Sequence, residues 1–183
     1  MLEDGKALGV FGLADRVREN ARRAIDKLHE MGIETVMITG DAEVVAKTVA
    51  ADLKIDRYYA RVLPKDKADL IRRLKADKPT AFVGDGINDA PALSESDLGI
   101  AIGAGTNVAI ESADLVLVKS DLLDVAYALK LATAAYNKMI QNLFWATGYN
   151  VIGIPLAAGI AYPLGIVLSP AVGALFMTIS TVV

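Results

Sequence analysis

Two carboxylates and a carboxamide surround two glycines near the middle of the chain. Asp85, Asn88 and Asp89 follow directly on the apolar run at residues 81–83. A strand that ends in this turn would hold the two acids together at the carboxyl edge of a sheet, where they repel unless a cation or hydrogen-bond donors relieve them. Mg²⁺ suits such hard oxygen ligands and is usually bound by one or two carboxylates plus substrate phosphate oxygens. The pattern predicts a magnesium-phosphate site, and a loop solvated by chance is the alternative.

Two further segments carry groups that can bind a phosphate. Thr39, Gly40 and Asp41 offer a hydroxyl and a run of backbone amides at a predicted strand-to-helix junction, and free N–H groups at a helix N-terminus cradle phosphate well. Alternatively, Thr39 and Asp41 cap that helix, since both residue types are favoured caps. Lys67 lies at the start of another predicted helix, where a cation opposes the helix dipole. It either pairs with phosphoryl oxygens or is a solvated surface lysine.

Short apolar strands alternate with helices through the first 137 residues. This alternation predicts an α/β fold with a Rossmann-like parallel sheet covered on both faces. Ligands bind beyond the carboxyl ends of the strands in such sheets, and the Thr39 and Asp85 segments both lie at such ends. The predicted strands cover residues 8–13, 33–38, 58–62, 80–84, 98–102 and 115–118, and the predicted helices cover 18–31, 42–53, 64–75, 90–94 and 107–112.

The remaining residues have a different composition, because no charged residue follows Lys138. Residues 143–162 are 20 uncharged residues, which matches the roughly 20 needed to cross the hydrocarbon core of a bilayer. A tight turn is predicted at residues 163–165, and a second apolar stretch, 168–183, stops at 16 residues. The chain therefore divides into a soluble domain, 1–137, and a transmembrane helical hairpin, 138–183, whose second helix is truncated.

Several uncharged polar or soft side chains lie within this apolar tail. They either mark a transport path, because polar groups at membrane depth are costly, or serve ordinary helix packing. A methionine thioether is a soft ligand of the kind that selects Cu(I). The side chains concerned are Tyr149, Asn150, Met177, Thr178, Ser180 and Thr181.

The overall composition excludes other classes of protein. A net charge of −3 without a basic stripe gives no electrostatic footprint for nucleic acid. The chain has no cysteine, so disulfides and thiolate metal sites are excluded within it. Acidic residues near the N-terminus stand where a secretory signal would be basic. His29, the only histidine, is assigned no role.

Taken together, the motifs resemble the catalytic end of P-type ATPases, pumps of the haloacid-dehalogenase-like superfamily of phosphotransferases. The resemblance keeps the family order and spacing and covers essentially the whole chain, as the later part of the phosphorylation domain followed by the last two membrane helices. The matching segments are Thr39-Gly40-Asp41, Pro64-Lys65-Asp66-Lys67 and Gly84-Asp85-Gly86-Ile87-Asn88-Asp89-Ala90-Pro91-Ala92-Leu93.

The resemblance implies a role for each polar residue of these segments. Asp85 would bind the catalytic Mg²⁺, and Asn88 and Asp89 would order the ion and the phosphorylated site. Thr39 and Lys67 would hold the phosphoryl group. The loop around that group would be shaped by Gly40 and Asp41. Phosphoryl transfer needs mostly positioning and charge stabilisation, which this set supplies.

The tail resembles the copper- and silver-exporting members of the heavy-metal pumps, whose membrane region ends soon after the phosphorylation domain. The similar segments are residues 144–150, 168–174 and 177–181. The last of these differs by one hydroxyl from the more usual Met-Ser-x-Ser-Thr. The resemblance implies that the path of the transported metal is lined by Tyr149, Asn150, Met177, Ser180 and Thr181.

The Asp-Lys-Thr-Gly-Thr motif that holds the family's phosphorylated aspartate does not occur in these 183 residues. We therefore expect the C-terminal part of an ATP-driven copper or silver pump, inactive alone and multi-pass in a membrane, with residues 1–137 in the cytoplasm. Its partners would be Mg²⁺, ATP bound by a domain outside this chain, the transported cation, the other pump domains and the lipid bilayer. One alternative is a membrane-anchored phosphatase of the same superfamily, for which Asp15 is the candidate nucleophile. Another is a non-enzymatic remnant that pairs with a separate N-terminal half.

Overall fold

The computed structural model describes residues 2–3, 6–7, 17, 19–103, 107–165, 169, 171–175 and 178. The chain forms two compact units, Met1–Ala128 and Leu129–Val183. The domain boundary expected near residue 137 stays a prediction. The predicted strand at residues 8–13 lies outside the described residues.

Between residues 19 and 117, the described strands and helices follow each other in the predicted order, and their ends differ from the predicted ones by at most three residues. A short antiparallel pair at the N-terminus was not predicted. The strands are β1 (Leu2–Glu3), β2 (Lys6–Ala7), β3 (Val36–Ile38), β4 (Arg57–Tyr59), β5 (Ala81–Gly84), β6 (Leu98–Ile102) and β7 (Leu115–Leu117). The helices are α1 (Glu19–Glu30), α2 (Glu43–Leu53), α3 (Pro64–Asp77), α4 (Ala90–Glu95), α5 (Asn107–Ser112) and α6 (Leu122–Ala157).

Local residue types explain where several helices begin and end. Gly32 adopts φ +72° just after α1, a left-handed conformation that glycine reaches without a steric penalty. Pro64 occupies the first turn of α3, where its missing N–H costs no hydrogen bond. Asp121 accepts a hydrogen bond from the Leu123 N–H at 2.9 Å and so caps the start of α6.

The longer strands form two parallel ladders. One pairs β3 with β4, and the other has the order β5-β6-β7. Neighbouring side chains of β4 reach helices on opposite faces, because the Tyr58 hydroxyl donates to Glu43 of α2 at 2.9 Å whereas Tyr59 packs against the core beneath α3. The predicted α/β fold with parallel strands is therefore confirmed, and β4 contacts helices on both of its faces.

One hydrophobic core joins the two ladders. Ile71 and Leu74 of α3 are buried, and they pack against Val36 of β3 and Phe82 of β5. Tyr59 of β4 packs against the same cluster, so both ladders contribute to this core. In open α/β sheets, ligands bind beyond the carboxyl ends of the strands, and the turns after β3 and β5 lie at such ends.

The second unit contains most of α6, which ends at Ala157, two residues after Pro155. A 3₁₀ turn at Tyr162–Leu164 closes with Gly165 at φ +75°, which confirms the predicted turn. Within the described residues, no helix combines the length and the apolar character that a bilayer crossing requires. The transmembrane hairpin over residues 138–183 stays a prediction.

Candidate functional site

The loop after β3 is held by hydrogen bonds between its own polar groups. The Thr39 hydroxyl donates to an Asp41 carboxylate oxygen at 2.7 Å, and the same hydroxyl accepts from the Asp41 N–H at 3.1 Å. The N-cap of α2 is Ala42, without a side-chain cap bond. The alternative in which Thr39 and Asp41 cap this helix is therefore wrong, because these two side chains satisfy each other.

The segment that precedes α3 packs directly on this loop. The Val62 N–H donates to the Thr39 carbonyl at 3.0 Å, and the Arg61 N–H donates to the Asp41 carbonyl at 2.9 Å. Arg61 adopts φ +54°, which is uncommon for a residue that is not glycine. These backbone bonds connect the Thr39 loop to the first turn of α3.

Lys67 lies in that first turn and faces the turn that follows β5. Its ammonium contacts an Asp89 carboxylate oxygen at 2.7 Å, and the two side chains are only 19% and 13% exposed. The alternative of a solvated surface lysine is therefore wrong. The contact also supplies the cation that relieves Asp89 from the repulsion expected beside Asp85.

The turn after β5 places its polar groups in two different environments. Asp85 and Asn88 are exposed and make no side-chain hydrogen bond within the described part of the chain. Asp89 is held against the strand end, because a Cβ built on Gly84 would lie 2.8 Å from its Cβ. The Asp89 N–H donates to the Gly86 carbonyl at 3.0 Å, which closes the turn.

The oxygen ligands of this turn fit an Mg²⁺ ion that completes its coordination with phosphate oxygens. No group of three acidic, histidine or cysteine side chains that could hold a metal occurs among the described residues. Mg²⁺ does not need such a cage, because it usually keeps several waters and takes one or two carboxylates plus phosphate oxygens. Asp85 is the exposed carboxylate of the turn, and Asp89 lies four residues further on.

The structure thus brings Thr39, Gly40 and Asp41 into contact with the segment before α3, and it brings Lys67 to Asp89. The roles of Gly84 and of Arg61 were not predicted from sequence. A glycine at a strand end often marks a close approach of other atoms, and this signal could have identified Gly84. Arginine has no preference for positive φ, so no local signal identifies Arg61.

The candidate residues of the tail are only partly described. Tyr149 and Asn150 lie on α6, and the Asn150 amide donates to the Ala146 carbonyl at 2.9 Å. Asn150 also lines an open groove of about 450 Å³ together with Thr147 and Pro155. Met177, Ser180 and Thr181 lie outside the described residues.

The chain is similar to metal pumps along its whole length. It is 55% identical over 183 residues to copper-exporting P-type ATPase B of Archaeoglobus fulgidus, covering 100% of this chain and 26% of that protein. It is 50% identical over 179 residues to copper-exporting P-type ATPase B of Enterococcus hirae, covering 97% and 24%. The chain therefore spans about a quarter of the length of these curated relatives.

Solved structures and a family model agree with the fold. A crystal structure of a zinc-transporting PIB-type ATPase in the E2.Pi state has a TM-score of 0.83 and 35% identity, covering 98% of this chain and 28% of that one. The model of haloacid dehalogenase-like hydrolases matches residues 1–97, which include β3, β5 and the Lys67–Asp89 contact. From this match and from the parallel α/β sheet with polar turns at its carboxyl edge, we conclude that the chain belongs to the haloacid dehalogenase-like hydrolase family.

Proposed function

We propose that this chain supplies the magnesium- and phosphoryl-binding residues of an ATP-driven pump that exports copper or silver ions. The observation that carries the proposal is the contact between Lys67 and Asp89 at 2.7 Å, because it brings a cation from one helix to the turn that carries Asp85. The names of the relatives matched along the chain support copper as the cargo. The activity belongs to a longer protein, since the chain spans about a quarter of those relatives.

Phosphoryl transfer depends mainly on positioning and on stabilising charge, and the residues of the site divide this work. Asp85 and Asp89 would hold Mg²⁺, which when bound offsets the charge of the phosphoryl oxygens. Lys67 would contact the same oxygens, oriented by Asp89. Asn88 carries an exposed carboxamide that would order the ion and the phosphorylated site.

The Thr39 loop would form the other side of the phosphoryl pocket. The Thr39 hydroxyl is oriented by Asp41, and it would donate to a phosphoryl oxygen after exchanging that partner. Gly40 is exposed, and a Cβ built there would have the Val62 carbonyl as its nearest neighbour at 3.6 Å. The loop backbone can therefore approach a phosphoryl group closely.

We assign residues 138–183 to the last two membrane helices of the pump and residues 1–137 to the cytoplasm. Leu143, Phe144 and Ile152 of α6 are 60%, 71% and 65% exposed. Large exposed apolar patches mark sites that contact other proteins or membranes, so lipid or other helices of the pump would cover these side chains. The ion path would be lined by Tyr149, Asn150, Met177, Ser180 and Thr181.

A free-standing phosphatase is the weaker interpretation. Its candidate nucleophile, Asp15, lies outside the described residues. The curated relatives reported above match 100% and 97% of the chain and are named as copper-exporting P-type ATPases. The 3-deoxy-D-manno-octulosonate 8-phosphate phosphatase of Moraxella catarrhalis shares only the fold, at 18% identity and a TM-score of 0.53.

A chimera tests the proposed function directly. This chain would replace the corresponding segment of the Archaeoglobus fulgidus copper-exporting ATPase, and copper-stimulated ATP hydrolysis would be measured in membranes. We expect activity in the chimera and its loss in the chimera carrying Asp85→Asn, because the amide removes the charged magnesium ligand. Asp77→Asn is the matched control, since Asp77 is exposed at the end of α3. Full turnover with Asp85→Asn would refute the proposal.

A binding measurement on the 183-residue chain itself separates the magnesium site from transport. Titration with MgCl₂ in the presence of inorganic phosphate, followed by the backbone amide signals of the turn after β5, should show saturable binding. Asp85→Asn should weaken this binding by about tenfold or more, the loss typical of a damaged metal site. Asp77→Asn should leave it unchanged, and equal affinities in all three proteins would exclude Asp85 as the ligand.

A further inference from the structure

We propose that Glu95 is a positioning residue for Lys67: it ties the far ends of α3 and α4 together and so holds the Lys67–Asp89 contact in place. The consequence for phosphoryl transfer rests on the function proposed above. The mechanical linkage between Glu95 and Lys67 does not depend on that function.

The two helices are joined by ion pairs at both ends. At the end nearest the strand termini, Lys67 contacts Asp89 at 2.7 Å. At the opposite end, the two Glu95 carboxylate oxygens contact Arg72 at 2.8 Å and Lys75 at 2.9 Å. The Lys75 ammonium also donates to the Glu95 backbone carbonyl, so it binds the last residue of α4 through both main chain and side chain.

Between these two ends, α3 and α4 contact each other through apolar side chains. Ile71 of α3 and Ala92 of α4 are 1% and 0% exposed and pack in one cluster. The Ala92 side chain is a single methyl group and does not interlock with Ile71, so this contact resists separation of the helices better than it resists sliding of one helix along the other. Leu93 of α4 is also fully buried, and the charged groups at the two ends act together with it to fix the register of α4 on α3.

α4 has little stability of its own. It spans only Ala90–Glu95, and isolated helices shorter than about 12 residues are marginal in water. Its N-cap residue, Asp89, makes no side-chain cap bond, because the carboxylate is directed to Lys67. The orientation of α4, and with it the position of Asp89, depends on its neighbours.

Glu95 is the shielded member of its ion-pair group. Its side chain is 22% exposed, against 59% for Arg72 and 32% for Lys75. The hydrogen bond from Arg72, followed by that from Lys75, lowers the pKa of Glu95 below its usual value, so the carboxylate is ionised at neutral pH. Asp69 contacts the other terminal nitrogen of Arg72 at 2.7 Å, which orients the guanidinium toward Glu95.

The test measures the Lys67 ammonium group directly, in the 183-residue chain without Mg²⁺ or phosphate. Nitrogen-15 NMR of the lysine side chains reports how fast the ammonium protons exchange with water, and an ion-paired ammonium exchanges slowly. In Glu95→Gln this rate at Lys67 should rise about twofold or more, as expected for coupled residues of one network. Glu30→Gln, at an exposed carboxylate of α1, is the matched control and should leave the rate unchanged.

The methyl signals of Ile71 show whether the core of each variant is intact. An unchanged Lys67 rate in a folded Glu95→Gln protein would overturn the proposal. If Glu95→Gln fails to fold, Arg72→Gln decides, because it removes one exposed partner of Glu95 and should raise the Lys67 rate in the same direction. A Lys67 rate identical to that of the original chain in Arg72→Gln would overturn the proposal.

The magnesium titration described above is independent of this measurement. Failure of the original chain to bind Mg²⁺ would refute the proposed function and leave the Glu95 linkage standing. In the chimeric pump, a positioning role predicts that Glu95→Gln lowers kcat for ATP hydrolysis while the KM for ATP is unchanged, because the nucleotide is bound by another domain.

Discussion

Gly84 and Gly86 flank Asp85 in one turn, and the structure predicts opposite responses to the same substitution. A Cβ at Gly84 would lie 2.8 Å from the Asp89 Cβ and 3.0 Å from a carboxylate oxygen of Asp89. A Cβ at Gly86 would have the Asn88 backbone nitrogen as its nearest neighbour, at 4.0 Å. Gly84→Ala should therefore displace Asp89 from Lys67, whereas Gly86→Ala should leave that contact intact.

The size of the Gly84 effect follows from these distances. Non-bonded carbon atoms settle at about 3.5–4.0 Å, so Asp89 or the strand end must move by about 0.7–1.2 Å to accept the methyl group. Overpacking of this kind costs about 1–3 kcal/mol, and weakening a charged hydrogen bond adds about 1 kcal/mol. The lower chain entropy of alanine offsets about 0.4–1 kcal/mol. We expect the free energy of unfolding to fall by about 2 kcal/mol.

Urea denaturation followed by far-ultraviolet circular dichroism measures this difference. Gly86→Ala should lie within about 0.5 kcal/mol of the original chain, as is usual for surface substitutions, because Gly86 has an extended backbone that alanine adopts freely. Gly84→Ala should also weaken Mg²⁺ binding, since Asp89 moves. Equal stabilities of the two variants would refute the steric argument.

Three further predictions concern the surrounding fold. Leu93 is 0% exposed, so Leu93→Ala should lower the free energy of unfolding by about 2–5 kcal/mol. Leu131 is 71% exposed, so Leu131→Ala should change it by less than about 0.5 kcal/mol. Similar urea midpoints of the two variants would contradict the burial of Leu93. Hydrogen bonds from Thr35, first from its backbone N–H, lower the pKa of Asp56 below 3.8, so the ionised carboxylate stabilises the fold above pH 3.8 and this contribution is lost as the pH falls through the lowered pKa. In Asp56→Asn, the free energy of unfolding should therefore fall less steeply with decreasing pH. The same acid dependence in both proteins would exclude the effect. Thr35→Val removes a hydroxyl that donates to Asp56 at 2.9 Å and should lower the free energy of unfolding by about 1–2 kcal/mol. Thr48→Val, at an exposed helical site, should lower it by less in the same urea titration. A larger loss in Thr48→Val would contradict the role of the Thr35 hydroxyl.

The order of helices and strands could be predicted from sequence because its signals are local. Apolar spacing identifies α1 and α2, and Gly32 and Pro64 mark a helix end and a helix start through their own backbone restrictions. The candidate site could also be predicted, since Asp85, Asn88 and Asp89 lie within five residues of one another. Residue type and short spacing are enough when the relevant neighbours are close in the chain.

Pairing between distant side chains could not be predicted in this way. Thr39 and Asp41 are favoured caps by type, yet they bond to each other, since Ala42 takes the N-cap position. Lys67 suits solvent by type, yet it is shielded against a carboxylate 22 residues away.

The sequence by itself determined which groups are available to bind a phosphoryl group and where each lies on its own strand or helix. Only the tertiary structure decided which of them touch. The packing of α3 on α4 brings Lys67 to Asp89 and Glu95 to Arg72. The physical reason is that contact energies depend on distances of a few ångströms between elements, which the core sets and which no local pattern of residues encodes.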